Sequence, residues 1–206
     1  MRLPPTRAAW PLRPLLALQR RRHGTVLEPT ALWAYRPRAL LAFLALFRAL
    51  RGRRSPLPAG LRSLVSLRVS QLTGCDFCID MNAALLAEAG VSEDKALALA
   101  NWRKSPDFDP RERLALEYTE GMTVTPPAVD DELFARLRSQ FAAEAIVELT
   151  AVVSFQNLSA RFNAALQAEP YGFCAPQPQA ADAVAEGPEA RSDAGAELSS
   201  SRRRCS

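Results

Sequence analysis

Thirty residues, "LRSLVSLRVSQLTGCDFCIDMNAALLAEAG" from Leu61 to Gly90, constrain the fold more than any other stretch. Apolar positions 61, 64, 65 and 72 recur at the 3.6-residue period, which places them on one face of a helix. Thr73 and Gly74 end that helix, and Cys75 opens a second that runs to Gly90. Arg68 falls on the apolar face of the first. A cation there either snorkels to water or meets a buried acid or a site.

Helical spacing and helix stops govern the rest of the chain. Pro37 fits the first turn of a helix that ends at Gly52. Its apolar run "ALLAFLALF", residues 39–47, is far short of the roughly 20 residues a membrane span needs and reads as a buried helix. Ser92 caps a helix with Glu93 and Asp94 in its first turn. Asp109, Pro110 and Glu112 make a capping-box pattern for a helix ending at Gly121. Asp130 caps another, and a last long helix spans about Ala143 to Gln167. Trp102 reads as a core residue. No run alternates apolar and polar residues between hairpin signals, so the fold class is all-α.

At 206 residues and 48% hydrophobic, the chain suits one domain with tails. Residues 1–24 carry six arginines, four prolines, no acid and no serine. The prolines interrupt an amphipathic helix, and the segment is expected to be a disordered basic leader. Organellar import is the alternative reading of its charge. Residues 25–174 are the helical domain. Residues 175–206, rich in Ala, Pro, Gly, Ser and charge, bury too little to offset their ordering entropy and are expected to be disordered. The net charge of +4 gathers in arginines near the two ends, with no basic run interleaved with aromatics. Neither nucleic acid nor a membrane is expected as a partner. Four cysteines are too sparse for a disulfide framework, which points to a reducing, cytoplasmic location.

Cys75 and Cys78 form a C-x-x-C pair. Zinc needs about four ligands, and the remaining candidates, His23, Cys174 and Cys205, sit in the leader, at the domain edge and in the tail. No metal or cofactor is expected. Two readings remain, a buried structural pair and a dithiol that cycles with a disulfide. At a helix N-terminus the dipole and free N–H groups favour a thiolate, whereas Asp76 and Asp80 oppose it unless they face solvent.

The stretch "LRVSQLTGCDFCIDMN" resembles the core of the AhpD-like alkylhydroperoxidases, within the carboxymuconolactone decarboxylase superfamily. The resemblance extends to "LEPTALWAYRPRALLAFLALFRAL", "SPDFDPRERLALEYTEGMT" and "NLSARFNAAL", so it covers nearly all of the domain. It implies an AhpD-like helical fold that assembles as trimers or multiples of them. It implies a peroxidase-type antioxidant chemistry in which Cys78 attacks a small hydroperoxide or disulfide and Cys75 resolves. A thiol donor then restores the pair. In the family a glutamate twelve residues before the first cysteine and a histidine four after the second relay protons. Here those positions hold Ser63 and Asn82, neither of which takes a proton near pH 7. Thiol chemistry slower than the family's is therefore expected. A non-catalytic oligomeric member and a decarboxylase-like enzyme acting on small cyclic acids are the alternatives. Arg68 is a candidate for a pocket anion or a structural ion pair. Asn157, Arg161 and Asn163 match the family's late helix.

Overall fold

The computed structural model describes residues 1–4 and 10–173. The expected tail, Cys174 and Cys205 lie outside the described residues. Nine α-helices and two short 3-10 turns make up the described fold, with no strand among those residues. The order is α1 (Arg13–His23), α2 (Glu28–Trp33), α3 (Pro37–Leu50), α4 (Ala59–Thr73), α5 (Asp76–Glu88), α6 (Glu93–Ala98), α7 (Pro110–Thr123), α8 (Asp131–Gln140) and α9 (Ala143–Leu166).

Helix α4 is the axis of the bundle and packs against α5, α9 and α7. Every residue from Leu61 to Gln71 is buried. The apolar stripe read from the sequence is therefore one side of a helix enclosed on all sides, and Leu72 is only half-buried. Two of its serines are tolerated because they are small and bond to their own helix. Ser66 Oγ donates to Arg62 O and Ser70 Oγ to Ser66 O, both at 2.8 Å. Thr119 and Thr123 of α7 do the same one turn back. Such back-bonding lets a hydroxyl enter the core without an external partner.

Arg68 meets a buried acid. Its Nη2 lies 2.6 Å from Glu120 Oε1, and its Nε donates to the same oxygen at 2.7 Å. Trp102 Nε1 and Arg103 also reach Glu120, at 2.8 and 2.5 Å. Burial pushes the Glu120 carboxyl up, but the Trp102 hydrogen bond and the charges of Arg68 and Arg103 outweigh it, leaving the pKa lowered.

The helix stops follow local chemistry in most places. Asp109 and Glu112 form the full reciprocal capping box. Ser92 and Asp130 cap α6 and α8. Gly121 is an exception, because α7 continues to Thr123. A Cβ there would lie 2.7 Å from the Ala128 carbonyl oxygen, so this glycine permits a close backbone approach rather than ending a helix.

Two expectations are corrected. Residues 10–23 are ordered, as a 3-10 turn over Trp10–Leu12 followed by α1. Pro14 stands in the first turn of α1, where no N–H is needed, so it starts the helix instead of breaking it. Leu12 and Leu16 are buried with Ala34 and Leu40 in a satellite core. Helix α3 is not buried, since only Leu40 is enclosed while Leu41 and Leu46 are 51% and 49% exposed. It lies at the edge of the bundle, held by a ladder of rings. Trp33 stacks on Phe162 (4.1 Å) and Phe43 (5.2 Å), and Phe43 and Phe47 pack on Phe155 of α9.

Truncating a fully buried leucine costs about 2–5 kcal/mol. Leu12→Ala is accordingly expected to lower the thermal midpoint by several degrees. An unchanged midpoint by calorimetry would return residues 10–23 to the status of a loose leader.

Candidate active site

The two cysteines owe their placement to the break between α4 and α5. Gly74 takes left-handed φ, ψ of 62° and 38°. Its N–H bonds to Gln71 O and that of Cys75 to Ser70 O, the two bonds of a Schellman turn. Cys75 then becomes the N-cap of α5, its sulfur accepting from the Cys78 N–H at 3.4 Å. Both thiols are free and buried at 2% exposure.

Cys78 is surrounded by neutral donors. Asn163 Nδ2 donates to its Sγ at 3.3 Å. Ser159 and Gln156, also on α9, add polar groups that favour a charge on the same sulfur. The two thiols are driven apart. The hydrogen bond from the Cys75 side chain holds the Cys78 pKa below the ordinary thiol value, helped by Asn163, Ser159 and Gln156 against the effect of burial. Cys75 is pushed up, first by that same hydrogen bond and then by burial and the Cys78 charge. Of the two, Cys78 is the one whose thiolate is favoured, at the expense of Cys75. Asp76 is exposed, but Asp80 is buried, and its Oδ2 accepts from Tyr171 N at 2.9 Å.

Ser70 ties this cluster together. Its Oγ accepts from Asn82 Nδ2 and from Gln156 Nε2, each at 3.1 Å. Asn82 Nδ2 also donates to Cys78 O at 2.9 Å. Asn82 and Gln156 line a small pocket with a cavity volume of about 20 Å³, whose other walls include Phe47, Arg51, Arg62 and Phe155. On the opposite side Leu27, Phe77, Ala168, Tyr171 and Phe173 cover the cysteines. His23 stands outside this cluster, edge-on to Phe173 at 5.5 Å. Burial, then Arg22, lowers its pKa.

The carboxymuconolactone decarboxylase family profile matches residues 37–121. YnjA of Escherichia coli K-12, an uncharacterized protein, is 47% identical over 163 residues, which is 79% of this chain and 90% of YnjA. A solved structure of an alkylhydroperoxidase AhpD core, an uncharacterized peroxidase-related protein from Ralstonia eutropha JMP134, superposes with a TM-score of 0.73 at 24% identity. It covers 82% of this chain and 91% of that one. This chain is a member of the AhpD/carboxymuconolactone decarboxylase superfamily. The debrominase Bmp8, solved as a cysteine-to-alanine variant in complex with 2,3,4-tribromopyrrole, shares the fold with a TM-score of 0.69 at 22% identity, covering 78% and 86% of the two chains.

The superfamily's two relay positions lie at different depths here. Asn82 is one turn from Cys78 and bonded to its carbonyl. Ser63 is fully buried, and its hydroxyl is directed at Leu85 O, 3.4 Å away. Arg68 is engaged by Glu120, as described above. Asn157 and Arg161 bond the end of α7 through Thr123. Of the late-helix residues, Asn163 alone reaches the sulfur by a direct contact of that kind. Sequence reading missed Gln156 and Ser159. Their spacing with Asn163, three and then four residues, sets all three on one face of α9, a signal that was available but indistinguishable from ordinary helix polarity.

A hydrogen bond to a charged group is worth about 1.5–3 kcal/mol, and tenfold is about 1.4. Asn163→Leu should therefore slow alkylation of Cys78 by iodoacetamide at pH 7 by about tenfold. In the unaltered protein the rate should rise with pH to a plateau, with its midpoint below about pH 8.5, where an ordinary cysteine is half ionised. The mutation should move that midpoint upward. Identical pH profiles would remove Asn163 from thiolate stabilisation.

Proposed function

We propose that the protein is an AhpD-like thiol-disulfide oxidoreductase of the peroxidase type. The observation that carries this reading is the C-x-x-C pair at the start of α5, with the Cys78 N–H donating to Cys75 Sγ and Asn163 Nδ2 donating to Cys78 Sγ, an arrangement that lowers the Cys78 pKa and raises that of Cys75. A pair so arranged has an attacking thiolate and a resolving thiol already assigned. The superfamily membership supports the same chemistry.

In the first step the Cys78 thiolate attacks the distal oxygen of a hydroperoxide. The O–O bond breaks, Cys78 becomes a sulfenic acid, and the leaving alkoxide takes a proton from solvent to give an alcohol. In the second step Cys75 attacks the sulfenic sulfur, an S–S bond forms, and hydroxide leaves as water with the Cys75 proton. An external dithiol then reduces the disulfide by exchange and is itself oxidised. Asn163 Oδ1, buried and without a hydrogen-bond partner among the described residues, is an acceptor suited to the sulfenic hydroxyl. Ser63 and Asn82 supply no proton transfer, so turnover is slow for the fold. The amides and the Cys75 thiol instead hold the thiolate.

Mild peroxide should convert the two thiols into one intrachain disulfide, seen by mass spectrometry as the loss of two hydrogens. Cys78→Ser should abolish this, and Cys75→Ser should stall at a trappable sulfenic acid. Two thiols that stay free in the unaltered protein would sink the redox reading.

The same reading includes assembly as a homo-oligomer, a trimer or a multiple of one. Leu41 and Leu46 on α3 and Val147 and Leu158 on α9 present apolar surface of the kind that oligomers cover. Light scattering at micromolar concentration should give a mass of three chains or a multiple. A monomer would overturn this part alone.

A further inference from the structure

Both sulfurs are buried, so any reagent that reaches Cys78 must displace part of the protein. Helices α4, α5 and α9 pack on one another and carry the core, and moving one of them would open the fold. The small pocket beside Asn82 and Gln156 has a cavity volume of about 20 Å³, room for about one water, and neither sulfur lines it. A third side is covered by the chain that follows α9. Ala168, Tyr171 and Phe173 pack in one apolar cluster with Leu27, Phe77 and the two cysteines. Tyr171 is edge-on to Phe77 at 6.1 Å and stacked on Phe173 at 5.8 Å.

Residues 168–173 form neither helix nor strand. Gln167 and Gly172 take left-handed φ of 53° and 71°, so the chain turns sharply near each end of the segment. Glu169, Pro170 and Gly172 are exposed, while Ala168, Tyr171 and Phe173 are half-buried. At the near end Ala168 N–H bonds to Asn163 O at 3.0 Å. The other polar ties converge on Tyr171 and Glu28. Tyr171 N–H donates to Asp80 Oδ2 at 2.9 Å, and Asp80 stands two residues beyond Cys78. Tyr171 Oη accepts from Glu28 N–H at 3.0 Å and donates to Val26 O at 3.3 Å. Glu169 N–H donates to Glu28 Oε2 at 3.1 Å. One tyrosine thus joins the segment both to the helix of the cysteines and to the start of α2. A short irregular segment held by a few half-exposed ties can open locally while the bundle stays folded.

We propose that residues 168–173 are a strap that opens to admit reactants to Cys78, with Tyr171 as its latch. The strap swings about Gln167, Tyr171 leaves Asp80, Glu28 and Val26, and the aromatic cover parts over the sulfurs. The hydroperoxide and the dithiol reductant both enter by this side, and the closed strap shields the thiolate between turnovers. The inference rests on the thiol reading above for the reaction. Access to the sulfur is measured without a redox cycle, so the two readings can fail separately.

The probe is iodoacetamide, with labelling of Cys78 followed by peptide mass spectrometry in the full chain. Tyr171→Phe keeps the ring and removes both hydroxyl bonds. Each net hydrogen bond is worth a factor of about two to ten in an equilibrium, so the plateau rate of Cys78 labelling should rise about fivefold or more. The pH midpoint of that rate should stay in place, because Cys75 and α9 set it. Hydrogen exchange of the amide at position 171 should quicken by the same factor, since one opening exposes both. Amides of α4 should keep their protection. Glu28→Ala removes the acceptor of Glu169 N–H and should act in the same direction. An unchanged labelling rate in both variants would overturn the strap. A faster amide without faster labelling would also overturn it, because the segment would then open without uncovering the sulfur. So would a rise shared by the α4 amides, which would mark a loosened bundle. If labelling behaves as expected but peroxide leaves both thiols free, the strap stands and the thiol reading falls.

Discussion

Everything in this protein is arranged around a helix that has no solvent face. Because α4 is enclosed, each polar atom it carries must find its partner inside the protein or cost about 1–3 kcal/mol. Ser66 and Ser70 solve this by bonding to their own helix. The two arginines cannot, and they recruit neighbours. Arg68 draws Glu120, Trp102 and Arg103 into one network on the α7 side. Arg62 turns to the carbonyls that end α3 and so shapes the pocket wall.

Ser70 extends the same constraint to the thiols. Its hydroxyl hydrogen is spent on Ser66, and its lone pairs remain to receive Asn82 from α5 and Gln156 from α9. One buried oxygen therefore sets the relative positions of three helices beside Cys78. The superfamily's acid-base positions hold Ser63 and Asn82 here, neither of which exchanges a proton near neutral pH. The site is built to hold a thiolate more than to shuttle protons toward or away from it.

The distribution of successes and misses in the sequence reading has a physical pattern. Asp109, Pro110 and Glu112 announced a helix start because capping is a matter of four consecutive residues. Gly121 misled, because a glycine that ends a helix and one that admits a neighbouring carbonyl look alike in a string of letters. The prolines of the N-terminal segment misled for a related reason. Proline breaks a helix interior and favours a helix start, and only the burial of Leu12 and Leu16 tells which applies. The apolar run of α3 declared a helix correctly and its burial wrongly, since hydrophobicity does not say how many neighbours a helix will have.

By itself, the sequence determined the all-helical class, most helix limits, and a C-x-x-C pair at the start of a helix. Each depends on interactions within about five residues. Only the tertiary structure decided which groups surround each thiol and which of the two is favoured as a thiolate. Asn163 reaches Cys78 across 85 positions of chain, Gln156 reaches Ser70 across 86, and Glu120 reaches Arg68 across 52. Hydrogen bonds and charge act over a few ångströms of space, and no local pattern records which distant side chains the fold will bring within that reach.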